Sequence, residues 1–220
     1  AALDAARALG LKIYFNQSAP AAARVDTAEL EALFDKYKAV HEPTKILAEG
    51  VGQLCEDLEV DPSDVSVLVM AYEMGAQRMC EFTRDEFVTG LASMGVDSLD
   101  ALKGRLPTMR DSLASKDVFR EVYLFAFGFS LDEPGQRVLQ CEVAVAMWRL
   151  LFARHSWVHT GAWCDFVETT YKRAVTRDAW MQLLDFVEKI EPDCSNYDAM
   201  GGAWHSLLDE FVEHLGAADN

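Results

Sequence analysis

Positive charge is what this sequence has least of: 20 lysines and arginines stand against 36 aspartates and glutamates, a formal net charge of −16. Nucleic acid binds clustered cations that neutralise its phosphates, so the balance excludes it as a partner. No apolar run reaches the roughly 18–20 residues that cross a bilayer, and no membrane partner is expected. The first residues hold no charged-then-apolar leader, and the sequence opens on Ala1, which reads as a piece of a longer chain. The five cysteines (Cys55, Cys80, Cys141, Cys164 and Cys194) are odd in number, far apart and without a Cys-x-x-Cys pair. That pattern argues against a disulfide framework and a zinc site, and for a reducing compartment. Glycine-rich phosphate loops and serine or threonine elbow motifs are lacking too.

What is present is helical periodicity. Half of the residues are apolar and a quarter charged, the balance of an ordinary globular chain. Asp61-Pro62 offers a cap and a first-turn proline ahead of the apolar run Val65–Met74. Thr83-Arg84-Asp85-Glu86 is a capping box before Phe87 and Leu91. Thr176, with Arg177 and Asp178, opens a helix bearing Trp180, Leu183, Leu184, Val187 and Ile190. Stops are expected at Glu42-Pro43, Pro107, Pro134-Gly135, Pro192 and Gly201-Gly202. The pattern predicts an all-α fold, a compact bundle of about ten helices over residues 27–215. Residues 3–15 read as one amphipathic helix and residues 18–24 as a linker. One helix of that length builds no core alone, so it either packs on the main domain or is the remnant of another.

Two segments echo the second half of an EF-hand, in which a loop runs into an exit helix. Phe82 and Glu86 fall at loop positions 8 and 12 of the first, Val138 and Glu142 at those of the second. Calcium also needs oxygen ligands at positions 1, 3 and 5. Those positions hold Gly75, Gln77 and Met79 in one loop and Leu131, Glu133 and Gly135 in the other. The spacing keeps EF-hand-like helix pairs without calcium ligands, and neither metal nor cofactor is expected.

For catalysis the inventory is thin. His41, His155, His159, His205 and His214 form no metal-like doublet, and His155 and His159 flank Trp157 at a helix junction, a structural setting. Cys80 precedes a capped helix, where a thiolate gains from the helix N-terminus. Nucleophilic chemistry also needs a base and an orienting partner, which the sequence does not place. Two features point to binding. Val65–Met74 is apolar on more than one face, through Val67, Leu68, Val69, Met70, Ala71 and Met74. It is either a fully buried core helix or the wall of a groove for a partner's apolar anchor, where methionine adapts its shape. Residues 176–220 carry ten acidic and two basic residues, a net −8, which either steers a basic partner or only aids solubility.

Six segments, in order and spacing, resemble successive blocks of the Defective-in-cullin-neddylation (DCN-like) family. They are residues 46–58 (ILAEGVGQLCEDL), 80–91 (CEFTRDEFVTGL), 122–129 (VYLFAFGF), 142–150 (EVAVAMWRL), 176–186 (TRDAWMQLLDF) and 197–213 (YDAMGGAWHSLLDEFVE). The resemblance implies a potentiating-neddylation (PONY) domain over residues 27–220, built on EF-hand-like helix pairs without calcium. Many members carry an N-terminal ubiquitin-associated domain, and residues 3–17 (LDAARALGLKIYFNQ) resemble its last helix. Residues 1–26 are therefore expected to be the remnant of that domain plus a linker, without a working ubiquitin-binding module.

The family acts as a co-ligase, a non-enzymatic scaffold for cullin neddylation. It holds a cullin's C-terminal winged-helix subdomain and the neddylation conjugating enzyme together, beside a RING subunit that it engages only indirectly. The Asp-Ala-Asp patch attributed to cullin binding is matched by Asp178, Ala203 and Asp209. A second site takes the acetylated N-terminal methionine of the conjugating enzyme into an apolar pocket. Its lining maps onto Val51, Val67, Met70, Ala71, Met74, Cys80, Phe82, Phe129, Met147 and Leu150. The chain departs from the family pattern at His205, where proline is usual. It departs again at Met70, Met74 and Met147, which imply a softer pocket. The resemblance also implies a nuclear and cytoplasmic protein. Competing readings are an EF-hand-type calcium sensor or other acidic interaction module, and an enzyme using Cys80.

Overall fold

Helix starts are marked by side chains that take up free backbone N–H groups. In the computed structural model, which describes residues 25–133, 135–198 and 204–218, α1 (Thr27–Tyr37) begins at Asp26, whose carboxylate accepts from the N–H groups of Ala28 and Glu29. The helix and linker expected within residues 3–24 lie outside the described residues, as do Pro134, Gly201-Gly202 and Ala203. Strand β1 (Lys45–Ile46) leads into α2 (Ala48–Asp57), and α3 (Val65–Met74) follows. The cap of α3 is Asp64 rather than Asp61, which corrects the reading of Asp61-Pro62. Asp64 takes the Ser66 N–H at 2.8 Å and is itself gripped by Arg110, whereas the Asp61 carboxylate is used on Ser63 in the preceding turn.

Strand β2 (Phe82–Thr83) runs into α4 (Arg84–Ser93), where the capping box forms as expected, Thr83 and Glu86 bonding reciprocally. Next come α5 (Leu99–Ser112), α6 (Lys116–Phe129), strand β3 (Val138–Leu139) and α7 (Cys141–Phe152). The chain continues through α8 (Thr160–Phe166), drawn out by a π-turn over Val167–Tyr171, to strand β4 (Val175–Thr176), α9 (Arg177–Lys189) and α10 (Ser206–Ala218). Pro107 does not end a helix: it sits inside α5. An interior proline forfeits a backbone bond and strains the preceding turn, a cost of roughly 3 kcal/mol. Burial of Leu102, Leu106 and Met109, one face of α5, opposes that cost and carries the helix through.

The strands are two residues long, too short to register as alternation in the sequence. Ile46 faces Phe82 across β1 and β2, and Leu139 faces Val175 across β3 and β4, both antiparallel. Each ladder ties together the starts of two exit helices, α2 with α4 and α7 with α9. The loops recognised at Phe82 and Val138 are therefore each one half of an EF-hand-like pair. The partner halves, at Ile46 and Val175, carry no ligand pattern that would announce them.

Close helix approach depends on two glycines. A Cβ at Gly50 would stand 2.1 Å from the Tyr37 carbonyl oxygen, and one at Gly90 would stand 2.7 Å from Met74 Cα. Deeper in, Trp180 of α9 stacks between Tyr123 of α6 (4.7 Å) and Trp148 of α7 (5.1 Å). Their polar atoms are satisfied internally. Tyr123 donates to the Trp180 carbonyl at 2.9 Å, Trp180 Nε1 to the Tyr123 carbonyl at 2.9 Å, and Trp148 Nε1 to the Tyr123 hydroxyl at 3.0 Å. A buried network with every member paired fixes one arrangement of the three helices, and with it the rotation of α9.

Candidate functional site

Thr176 accepts the Ala179 N–H at 3.1 Å, which places Asp178 in the first turn of α9, where a carboxylate is favoured by the helix dipole. With Trp180 locked in the core, Asp178 faces solvent. Met181, the next residue on that side, is 43 % exposed, unusual for so large an apolar side chain. Asp178 Oδ2 accepts from Gln182 Nε2 at 3.0 Å, and Gln182 Oε1 accepts the main-chain N–H of His205 at 2.6 Å. This places Asp178 in contact, through one side chain, with the residue that leads into α10.

Leu207, Leu208 and Phe211 bury the inner face of α10, and Asp209 lies half-buried on its flank. The Tyr197 hydroxyl donates to Asp209 Oδ1, and the Tyr197 ring stacks on Trp204 (6.0 Å), which meets Phe186 edge-on. Burial and the Asp209 carboxylate both push the Tyr197 hydroxyl well above the usual tyrosine pKa, so it remains a donor. Asp178 and Asp209 thus sit on neighbouring helices that meet through Gln182 and His205. Ala203, expected between them, lies outside the described residues.

The residues assigned to the apolar pocket divide by depth. Met70, Ala71, Met74 and Phe82 are at most 4 % exposed, inside the core. Val51, Val67, Met147 and Leu150 are half-buried against the core, and Cys80 is exposed. Phe129 stacks on Phe125 at 5.0 Å, and its carbonyl takes the Met79 N–H at 3.1 Å, which holds the loop before Cys80 to the end of α6. Cys80 itself turns the chain at φ +61°, a left-handed conformation uncommon outside glycine. Leu150 and Val65 share a hollow of about 350 Å³, also lined by Asp64, Arg110 and Arg154.

The Glu86 carboxylate is engaged by the backbone of its loop. Glu86 Oε1 accepts from the Gln77 N–H at 3.0 Å, and Oε2 from the Thr83 N–H at 2.7 Å and its hydroxyl at 2.9 Å. In the loop before β3, Gln136 closes the turn by accepting from the N–H groups of Asp132 and Glu133 and donating to the Val138 carbonyl. His155 lies flat on Phe119 at 4.1 Å, where burial lowers its pKa, and His159 Nε2 meets the Pro192 carbonyl at 2.7 Å. Burial raises the Cys164 thiol to about 11. Among the described residues no hydrogen bond joins Cys80 to a histidine.

Comparison with known proteins agrees with this layout. A family model described as "Cullin binding" matches residues 101–214, which include α9, most of α10 and both acids. The chain belongs to the cullin-binding family. DCN1-like protein 3 of Xenopus tropicalis is 39 % identical over 187 residues, covering 84 % of this chain and 61 % of the relative. Human DCN1-like protein 3 is 40 % identical over 187 residues with the same shares. The Drosophila melanogaster counterpart is 37 % identical, covering 84 % and 55 %. The chain therefore spans about three-fifths of the length of the vertebrate relatives.

Within this cullin-binding fold, sequence reasoning missed Gln182 and Tyr197. Asp178 and Gln182 stand at i and i+4 of one helix, a spacing that signals an acid–amide pair. The contacts of Tyr197 with Asp209 and of His205 with Gln182 are long-range, and no local pattern announces them.

Proposed function

We propose that this chain docks on the C-terminal winged-helix subdomain of a cullin through the surface carrying Asp178 and Asp209, and that it promotes cullin neddylation as a non-catalytic co-ligase. The observation that carries the reading is the pair of acids on adjacent helices, linked through Gln182 and His205, within the stretch matched by the cullin-binding family. Opposite charge across such an interface steers encounter and fixes register. Exposed Met181 beside Asp178 supplies an apolar contact of the kind that accompanies charged anchors.

The second partner in this reading is the neddylation conjugating enzyme, held by its N-acetylated methionine. Val51, Val67, Met147 and Leu150 are half-buried and would form the accessible rim, and buried Met70 and Met74 are side chains able to re-pack around a guest. An acetylated terminus suits such a lining because it brings no ammonium group to desolvate. Holding donor and acceptor beside a RING subunit raises their effective concentration and orients the transfer, without a chemical step by the scaffold.

The deciding experiment is calorimetric titration with a cullin winged-helix subdomain. Saturable binding by the wild-type chain, lost in Asp178→Lys, is the expected result. Binding that Asp178→Lys and Asp209→Lys both leave intact would overturn the surface assignment.

A further inference from the structure

His205 stands where proline is usual in the resembling family, and it brings a backbone donor that proline lacks. That N–H holds Gln182 Oε1 at 2.6 Å, and the other end of the carboxamide, Nε2, holds Asp178 Oδ2 at 3.0 Å. Both ends of the Gln182 side chain are thereby fixed, oxygen to a donor and nitrogen to a carboxylate. Asp178 Oδ1 makes no hydrogen bond among the described residues and is left for an incoming group. The imidazole of His205 reinforces the arrangement. Nδ1 accepts the Leu207 N–H at 3.2 Å in the first turn of α10, so the ring proton resides on Nε2, 3.4 Å from the Thr176 hydroxyl that caps α9. One residue joins the starts of both acid-bearing helices and, through Gln182, sets the carboxylate of the first.

We propose that Gln182 and His205 form a positioning pair for the docking surface, acting through Asp178. The proposal rests on the cullin-docking reading above and adds the residues that orient its charge. An aspartate carboxylate without a partner samples its rotamers, and docking must then freeze it. A carboxylate held by one oxygen presents the other toward a lysine or arginine of the partner at less entropic cost.

The test is calorimetry with a cullin winged-helix subdomain on wild type, Gln182→Leu, His205→Pro, His205→Ala and the Gln182→Leu/His205→Pro double variant. Gln182→Leu is repeated in an Asp178→Asn background, and each variant is checked by thermal melting. Gln182→Leu and His205→Pro should each weaken binding by about threefold to tenfold, the effect of one lost hydrogen bond. The double variant should lose no more than the weaker single. His205→Ala keeps the N–H and should lose less than His205→Pro. In the Asp178→Asn background Gln182→Leu should have no further effect, an outcome that a merely structural role for Gln182 does not give. Unchanged affinity in Gln182→Leu, or the same loss with and without Asp178, overturns the positioning pair while leaving the docking reading in place. A wild-type chain that does not bind the subdomain at all sinks the docking reading, and the pair with it.

Discussion

The Tyr197 hydroxyl donates to Oδ1 of Asp209 across 2.5 Å, so one acid of the proposed docking surface is half-buried against a tyrosine, whereas Asp178, on the neighbouring helix and held by Gln182, is exposed. Charge reversal should therefore have different side effects at the two positions. Asp178→Lys should abolish binding to a cullin winged-helix subdomain, because the reversal turns attraction into repulsion, with only the small fall in melting temperature that a cation at an exposed helix start brings. Asp209→Lys should abolish binding and also lower the melting temperature by a few degrees, since Tyr197 loses its acceptor at a cost of about 1 kcal/mol. Calorimetry and thermal melts on the same samples separate the two effects.

A peptide matching the N-terminus of the neddylation conjugating enzyme should bind far better N-acetylated than with a free amine. An unpaired ammonium among Val67, Met147 and Leu150 would cost several kcal/mol. Met147→Ala, at a half-buried position, should weaken the acetylated peptide moderately without unfolding the chain. Met74→Ala is the poorer probe, because Met74 is buried and its truncation costs about 2–5 kcal/mol of stability by itself. Equal affinity for the two peptides, measured by fluorescence anisotropy, would return Val65–Met74 to the role of plain core.

Millimolar calcium should leave the melting temperature where it is. Glu86, at the last ligand position of its loop, already accepts from Gln77 and Thr83, and a metal would have to displace those donors. A specific ion at about a hundredfold its dissociation constant would stabilise by roughly 2.7 kcal/mol, readily seen in a melt. A clear upward shift would restore the calcium-sensor reading.

Two glycines of α2 should respond oppositely to alanine. At Gly50 the new methyl would sit 2.1 Å from the Tyr37 carbonyl oxygen, and backbone must move to admit it. A loss of about 1–3 kcal/mol is expected in urea denaturation. At Gly52 nothing lies within 4 Å, and alanine should stabilise by up to about 1 kcal/mol through helix propensity.

Asp57 should make the fold sensitive to acid. Hydrogen bonds from Lys36 and Tyr37 hold its carboxyl at about 2, against an ordinary 3.8. The folded state favours the ionised form, so the stabilisation is complete above the unfolded value and is lost as pH falls through about 2. Asp57→Asn should melt below wild type at pH 5, and the gap should close as the pH approaches 2. A gap that stays constant across that range would show that Asp57 contributes nothing through its charge.

Local chemistry was legible in the sequence, and tertiary choice was not. The Thr83–Glu86 capping box and the Thr176 cap depend on residues within one turn, and both form as read. Pro107 was misread because a local breaker was outweighed by the buried face of α5, which depends on what packs against it. The α3 cap moved from Asp61 to Asp64 because Arg110, 46 residues away, grips the second aspartate. Half of each EF-hand-like pair was visible through Phe82 and Val138, and the other halves were hidden in two-residue strands. At the site, Asp178 and Asp209 came from the resemblance, whereas their tethers, Gln182 and Tyr197, come from the fold.

The ladder between β3 and β4 sets how α7 and α9 start relative to each other. It anchors the origin of α7, which bears Met147 and Leu150, to the origin of α9, which bears Asp178. The Tyr123–Trp180–Trp148 stack then fixes the same two helices further along. On the proposed reading, two docking faces mounted on such a frame would keep a constant spacing, as the jaws of a gauge do. A flexible tether would let local concentration fall with its length. A gauge instead would present donor and acceptor at one separation, and its output would depend on how well that separation fits the span of the proposed transfer.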